Sequence, residues 1–225
     1  MLIKELGEFG LIRRLTGDQP AAGQVIKGVG DDAAVLKDSP GARLLVTGDL
    51  IVEGTHFLRE KIPAFDLGFK LMAVNLSDIA AMAGTPKFAV VFLGLPPDIT
   101  VETVQEIYRG ARFLADQFGV AIVGGDTVRG PSLTLGITLL GEVSPSRTVL
   151  RSGARPGDLL AVTGTLGGSA AGLAVALDMV KVDDETARRL LLAHFRPQPR
   201  VKEGRMLGSF DSVHALIDIS DGLAS

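Results

Sequence analysis

Residues 67–83 have the sequence LGFKLMAVNLSDIAAMA, and apolar side chains occupy nearly every position of this stretch. A helix that is apolar on all sides belongs in the core of a protein, because none of its faces is suited to water. Lys70 and Asp78 carry the only charges in the stretch. Since burying a lone carboxylate is costly unless it is paired or coordinates a metal, the stretch predicts a buried helix with a metal ion or a cationic partner beside Asp78.

Two further helices and four strands are predicted around this helix. The helices cover residues 2–15 and 101–118, and Thr100 and Gly119 are of the types that begin and end a helix. The strands, rich in apolar and β-branched residues, cover residues 44–47, 88–95, 120–123 and 133–143. We expect the core to include Phe69, Phe88, Phe92 and Phe113. These elements predict a mixed α/β domain over residues 1–143.

A second α/β domain is predicted over residues 149–225, after a linker that contains Ser144, Pro145, Ser146 and Arg147. Its predicted strands cover residues 159–163 and 213–217, and its helices lie around residues 169–179, 185–194 and 201–207. The chain then stops at Ser225, just inside a further predicted helix. We therefore expect this second domain to be incomplete at its C-terminal end.

Composition excludes several classes of protein. With 46% hydrophobic and 22% charged residues, the 225-residue chain is not collagen-like, coiled-coil or disordered. Its net charge of −3 lacks the basic excess that binds a nucleic-acid backbone. Cysteine is absent, the first fifteen residues carry several charges, and the uncharged stretch 159–177 is interrupted by Gly, Ser and Thr. These features favour a cytoplasmic protein without a signal peptide, a membrane partner or a nucleic-acid partner.

Acidic residues recur at predicted strand ends and glycine turns, namely Asp31, Asp32, Asp49, Asp126, Asp218 and Asp221. Any one of them alone is more often a helix cap or an Asx turn. As a set they suit Mg²⁺, which takes carboxylate oxygens and usually bridges to substrate phosphates. Three histidines without a His-x-x-x-His pair leave a zinc site of the usual kinds without ligands. The pattern therefore favours magnesium.

Phosphate-binding features are present, but the common nucleotide motifs are not. Arginines that could contact phosphate are Arg129, Arg147, Arg151 and Arg155. The glycine-rich turn at residues 164–169 is either an anion-binding nest or a plain turn before a helix. No P-loop sequence occurs. The GVGDDA run at residues 28–33 loosely matches a dinucleotide-binding motif, but its two carboxylates would repel a pyrophosphate.

Four motifs taken together resemble the thiamine-monophosphate kinase family: GVGDD at 28–32, NLSDIAAM at 75–82, GGDTVRGP at 124–131 and DISDGL at 218–223. The resemblance spans the whole chain. It implies a two-domain fold like that of aminoimidazole ribonucleotide synthase. In that fold the N-terminal mixed sheets of two subunits form a barrel, and ATP binds in the clefts between the subunits.

The resemblance also implies roles for individual residues. It implies magnesium ligands at Asp32, Thr47, Asp49, Asp78, Asp126, Asp218 and Asp221. Gly48 stands where the family usually has Thr or Ser, so any metal contact there is through its backbone. The implied ATP contacts are Tyr108, Gly125, Asp126, Arg151 and Ser220, and the implied substrate contact is His56. Among these residues, we expect the catalytic set to be Asp32, Asp78, Asp126 and Asp221.

The implied reaction transfers the γ-phosphoryl group of ATP to thiamine monophosphate, giving thiamine diphosphate and ADP, with several Mg²⁺ ions and in a homodimer. Two alternatives stay open. One is another ATP-dependent enzyme of the superfamily, like aminoimidazole ribonucleotide synthase or selenophosphate synthetase. The other is a non-catalytic nucleotide-binding and dimerisation module. The GGDTVRGP run and His56 favour the kinase. A later acidic segment of the family would lie beyond Ser225, so we expect an incomplete acceptor pocket here.

Overall fold

The computed structural model describes Leu6 and residues 8–17, 25–27, 35–36 and 41–223. Its helices are α1 (Glu8–Thr16), α2 (Ala64–Ala81), α3 (Val101–Gln117), α4 (Gly168–Ala176), α5 (Asp184–Phe195) and α6 (Val201–Leu207). Its strands are β1 (Val25–Lys27), β2 (Val35–Leu36), β3 (Arg43–Val52), β4 (Thr85–Leu95), β5 (Ala121–Arg129) and β6 (Thr134–Val143). Single 3₁₀ turns lie at Pro145–Arg147 and Arg151–Gly153. The predicted mixed α/β class is confirmed.

The main sheet has four strands in the order β3-β6-β4-β5, and β1 pairs with β2 in a separate antiparallel sheet. Strand β5 runs parallel to β4, with α3 as the connection between them. Two parallel strands require such a crossover because their like ends lie at the same edge of the sheet. Among the described helices, none is both long and apolar enough to cross a membrane.

The pattern of internal contacts divides the chain into two units. Unit 1 consists of Met1–Asp38, Gly48–Met72 and Phe88–Thr138, and unit 2 consists of Ser39–Thr47, Ala73–Lys87 and Leu139–Ser225. The division passes through β3, α2, β4 and β6, so each unit includes parts of these elements. It does not test the predicted boundary near residue 143, which stays a prediction.

Helices α2 and α3 touch backbone to backbone within unit 1, at a pair of reciprocal glycines. A Cβ atom on Gly68 would lie 1.7 Å from the carbonyl oxygen of Ile107, and one on Gly110 would lie 1.8 Å from that of Phe65. No other residue type fits either position without moving a helix. The predicted N-cap of α3 is confirmed, because Thr103 N–H donates to Thr100 Oγ1 at 3.2 Å.

The prediction that four phenylalanines lie in the core is half right. Phe69 and Phe88 are buried, but Phe92 is 41% exposed and Phe113 is 49% exposed. Phe113 lies on the outer side of α3, where its ring packs 5.6 Å from that of Phe65. An apolar run of sequence does not show which side of the helix or strand each aromatic ring faces. The number of phenylalanines in the core was therefore predicted too high.

Strand β5 is longer than predicted. The sequence placed the strand end at Val123 and a turn at Gly124, Gly125 and Asp126, but all three lie within β5. Their partners are Val90, Val91 and Phe92 on β4. Pairing with a buried neighbouring strand outweighs the poor intrinsic strand propensity of glycine and aspartate.

The two strands predicted in the second domain are wrong. Residues 159–163 and 213–217 have no strand pairing. Leu159 is 96% exposed, Leu160 is 80% exposed and Ile217 is 65% exposed. A strand is stable only when it pairs with another strand, and neither segment pairs with any strand that the structure describes. The three predicted helices of this region are confirmed as α4, α5 and α6.

Candidate functional site

Asp78 is half-buried on α2, where its side chain accepts a hydrogen bond from a hydroxyl group. Thr47 Oγ1 donates to Asp78 Oδ2 at 2.5 Å, and both residues belong to unit 2. Side chains alternate between the two faces of a strand, so Thr47 and Asp49 project from the same face of β3. Gly48 lies between them and has no side chain, so only its backbone could contact a ligand that Thr47 and Asp49 bind.

Two carboxylates of unit 2, Asp78 and Asp221, act on the pKa of a third, Asp218. Burial raises the pKa of Asp218, the neighbouring charges of Asp78 and Asp221 raise it further, and a hydrogen bond with Ser77 opposes the rise. The contributions of Asp78 and Asp221 show that three carboxyl groups lie near one another here, which concentrates negative charge. Such a place is suited to a positive ion.

The donor set of this cluster fits a hard divalent cation. Asp78, Asp218, Asp221, Thr47 and Ser77 offer only oxygen atoms, which Mg²⁺ prefers over nitrogen and sulfur. In the part of the chain that the structure describes, no three acidic or histidine side chains are gathered closely enough to form a ready-made metal site. The residues therefore suit Mg²⁺ by chemistry and charge, but need further ligands or closer approach to hold it.

Arg151 lies in a 3₁₀ turn fastened to the segment that leads to Asp218. A Cβ atom on Gly153 would lie 2.0 Å from the carbonyl oxygen of His214, so the two backbones are in direct contact. Asp158 holds the same junction, because it lies 2.8 Å from His214 Nδ1 and accepts from Arg155 N–H at 2.8 Å. The fold of unit 2 thus brings the predicted ATP contact Arg151 to the segment that carries Asp218, Ser220 and Asp221.

Sequence reasoning missed the supporting residues Ser77, Asp158 and His214. Ser77 was detectable in principle, because it directly precedes Asp78 in a helix predicted to be apolar. Nothing in the sequence connects Asp158 with His214, since they lie 56 residues apart and each is an ordinary polar residue when considered alone.

Gly125 and Asp126 lie side by side on β5 in unit 1. A Cβ atom on Gly125 would lie 1.9 Å from the carbonyl oxygen of Val91, so glycine is required there by the packing of β5 on β4. Asp126 is exposed, and its Oδ1 accepts from Thr127 N–H at 2.8 Å. The carboxylate of Asp126 is therefore open to solvent, next to Gly125, whose backbone packs closely against that of Val91.

His56 is exposed in a tight turn that follows β3, which we call the His56 turn (residues 52–59). Val52 N–H donates to His56 Nδ1 at 3.1 Å, and His56 N–H donates to the Val52 carbonyl at 2.9 Å. Because Nδ1 accepts a hydrogen bond, the proton of the neutral ring is on Nε2. The ring therefore retains one donor, Nε2–H, for a ligand.

Tyr108, the remaining predicted ATP contact in unit 1, is only 8% exposed on the core-facing side of α3. Its burial is explained by core packing, and it gives the ATP role no support. Asp32 and Asp31, with the whole GVGDD motif, lie outside the described residues.

The glycine-rich turn at residues 164–169 leads into α4, but no strand precedes it. Gly164 and Gly167 have φ angles of 109° and 86°, which only glycine adopts readily. Ser169 Oγ lies 2.9 Å from His194 Nδ1 on α5. The turn thus starts α4, and Ser169 attaches that helix to α5, while the anion-binding nest stays a prediction.

Comparison with known proteins gives a consistent result. The family described as AIR synthase related protein, N-terminal domain, matches residues 30–143. Thiamine-monophosphate kinase of Bacillus subtilis (strain 168) is 39% identical over 223 residues, which are 98% of this chain and 68% of that protein. The chain thus spans about two thirds of the length of this curated relative.

Solved structures agree with the sequence comparison. The crystal structure of thiamine-monophosphate kinase from Stenotrophomonas maltophilia K279a superposes with a TM-score of 0.84 at 38% identity, covering 97% of this chain and 69% of that one. A structure described as AaThiL complexed with AMPPCP and TMP has a TM-score of 0.76 at 35% identity, covering 99% of this chain and 69% of that one. The resemblance inferred from the four motifs is confirmed.

Proposed function

We propose that this chain, which belongs to the thiamine-monophosphate kinase family, acts in the transfer of the γ-phosphoryl group of ATP to thiamine monophosphate. The observation that carries the proposal is the carboxylate cluster of unit 2. A phosphoryl transfer between two anions must overcome their mutual repulsion, and catalysis consists almost entirely of positioning and charge neutralisation. An acidic cluster with oxygen donors only, beside an arginine turn, suits that demand.

Magnesium would be held by the carboxylates of this cluster. Thr47, Asp78, Asp218 and Asp221 fit by donor chemistry, while Asp32, Gly48, Asp49 and Asp126 stay predictions from the resemblance. When bound, Mg²⁺ neutralises phosphate charge and aligns donor and acceptor. The protein's own part is to supply these oxygen donors from β3, α2 and the segment that carries Asp218 and Asp221. The Ser77 hydrogen bond and the Thr47 hydroxyl each satisfy one carboxylate of the cluster.

ATP contacts are proposed at Arg151, Ser220, Gly125 and Asp126, with Tyr108 as the weakest member of the set because it is buried. Arginine can bind a phosphate with two parallel hydrogen bonds. The contact between Gly153 and His214 fixes the turn that carries Arg151 next to the segment that carries Ser220. AMPPCP, the ligand of the AaThiL structure, is an analogue of ATP, which supports a nucleotide site in this fold.

The acceptor contact is proposed at His56. Its Nδ1 is occupied by Val52 N–H, so Nε2–H is the donor that remains for an anionic group such as a phosphate. A phosphate nucleophile is already ionised near neutral pH, so His56 need not act as a base. Its proposed role is to bind and orient the acceptor.

A homodimer is proposed from the exposed face of the edge strand β3. Leu44, Val46 and Leu50 alternate along this strand and are 68%, 61% and 57% exposed. An apolar strand face open to water favours association. Leu50→Glu should therefore shift the protein from dimer to monomer in sedimentation equilibrium. Leu166→Glu, at an exposed leucine in the turn before α4, serves as the control, and equal effects of the two changes would contradict this interface.

The reaction is tested by measuring ADP release and thiamine diphosphate formation by the full-length protein, with and without thiamine monophosphate. The proposal expects Mg²⁺-dependent ADP release only when thiamine monophosphate is present. ADP release that needs a different acceptor would favour another enzyme of the superfamily. ATP binding without turnover would favour a non-catalytic module.

A further inference from the structure

The His56 turn is held by an ion-pair chain that none of the proposed roles uses. Glu53 Oε1 pairs with Arg59 Nε at 3.1 Å, and Arg59 Nη2 donates to Asp98 Oδ2 at 2.9 Å. All three residues belong to unit 1. The hydrogen bond from Arg59 also lowers the pKa of Asp98. Two carboxylates therefore hold one guanidinium that lies at the end of the turn.

Glu53 also anchors the start of the turn to the sheet. Its Oε2 accepts from Leu133 N–H at 3.1 Å, and its own N–H donates to the Leu133 carbonyl at 2.9 Å. Among the three ion-paired side chains, that of Glu53 is the least exposed, at 21%. One residue thus binds the turn to the residue before β6 through its backbone and its side chain together.

The backbone between Glu53 and His56 leaves little freedom for the ring. Gly54 has a φ angle of 82° and donates to the Phe57 carbonyl at 2.8 Å, which closes the turn. Val52, the residue before Glu53, donates to His56 Nδ1. Any movement of Glu53 away from Leu133 would carry Val52 with it and disturb the bond that sets the tautomer of His56.

We propose that Glu53 is a positioning residue for the acceptor substrate: it holds the His56 turn against the sheet, so that His56 keeps Nδ1 bonded and offers Nε2–H to the acceptor phosphate. This inference rests on the proposed function, because it takes His56 as the acceptor contact. Arg59 contributes to the same arrangement. Its positive charge balances that of Glu53, so that no unpaired carboxylate faces an anionic ligand.

The test compares Glu53→Ala, Glu53→Gln and His56→Ala in the full-length protein, with kcat and KM measured for each substrate. Glu53→Ala should raise the KM for thiamine monophosphate about 10-fold, as expected when an orienting contact is lost, and leave the KM for ATP unchanged. Glu53→Gln should have a smaller effect, because its amide oxygen can still accept from Leu133 N–H. Glu106→Ala removes a carboxylate paired with Arg109 on α3 and serves as the matched control.

A double-mutant cycle separates positioning from general stability. If Glu53 acts through His56, Glu53→Ala should have no further effect on the KM for thiamine monophosphate once His56 is alanine. Independent effects of the two substitutions on the KM for thiamine monophosphate would overturn the proposal. So would equal increases in the KM for thiamine monophosphate and for ATP in Glu53→Ala.

A readout without turnover covers the case in which the proposed function itself fails. In ring ¹⁵N spectra, His56 should show an unprotonated Nδ1 and a protonated Nε2, and Glu53→Ala should mix the two tautomers. An unaltered tautomer in Glu53→Ala would reject the positioning role whether or not the protein phosphorylates thiamine monophosphate. Tautomer mixing in a protein that does not use thiamine monophosphate would reject only the proposed reaction.

Discussion

The candidate site residues of unit 1 and those of unit 2 are held in different ways. In unit 1, His56 follows β3 in a closed turn, and Gly125 and Asp126 lie within β5. In unit 2, the irregular segments that carry Arg151, Asp218, Ser220 and Asp221 are joined by the Gly153 contact and the Asp158–His214 pair. Strand pairing and a closed turn, supported by the Glu53 side chain, hold the first group, whereas one backbone contact and one polar pair hold the second. Ligands and charge should therefore influence unit 2 more.

The largest effect should come from removing a charge of the unit 2 cluster. Asp78→Asn keeps an oxygen that can accept from Thr47 but removes one of the charges that surround Asp218. We expect kcat/KM to fall at least about 100-fold, because charge neutralisation carries phosphoryl transfer. Mg²⁺-dependent ATP binding, measured by calorimetry, should be lost.

The same variant should not unfold the protein. Without Mg²⁺, its free energy of unfolding should equal or exceed that of the parent, because a like-charge repulsion is relieved. Asp116→Asn, at an exposed carboxylate on α3, is the matched control. Unchanged nucleotide affinity in Asp78→Asn would show that the cluster has no part in binding.

A pair of adjacent glycines tests the claim that backbone pairing holds unit 1. Gly125→Ala places a methyl group against the Val91 carbonyl, whereas a Cβ atom on Gly124 meets nothing within 4 Å. We expect Gly125→Ala to lower the free energy of unfolding by about 1–3 kcal/mol. Gly124→Ala should change it by less than about 0.5 kcal/mol.

Urea unfolding of both variants measures the difference. Equal stability of the two would mean that β5 shifts freely, and unit 1 would then be no more rigid than the irregular segments of unit 2.

The smallest effect concerns pH and the Asp158–His214 pair. The hydrogen bond from Arg155 N–H, followed by that of His214, holds the pKa of Asp158 below its ordinary value of 3.8. A depressed carboxyl pKa adds stability above the ordinary value, and this stability is lost as the pH falls through the lower folded value.

Asp158→Asn should therefore have a slightly lower melting temperature than the parent at pH 7, and the gap should close as the pH falls below 3.8. Thermal unfolding followed by circular dichroism at a series of pH values measures it. A gap that persists in acid would assign the effect to packing rather than to charge. The pair formed by His194 and Ser169 lies outside this junction and serves for comparison with the Asp158–His214 pair.

Much of the candidate site was predictable because it depends on residue type and local pattern. Asp78 was identified by its charge within an apolar helix, and that helix formed as expected. The four motifs identified the family. The course of β5 was mispredicted, because glycine and aspartate favour turns unless a neighbouring strand pairs with them. The strands expected at residues 159–163 and 213–217 did not form for the opposite reason: each has an apolar strand pattern, but none of the described strands pairs with it.

The sequence by itself determined the α/β class, the positions of the main helices, the acidic character of the site and the family. These follow from periodicity and residue chemistry, which are local. Only the tertiary structure decided that Gly68 meets Ile107, that Asp158 meets His214 and that Glu53 fastens the His56 turn to Leu133. Each of these contacts joins residues that are far apart in the chain, and no local pattern encodes which of many similar polar or small residues will come together when the core packs.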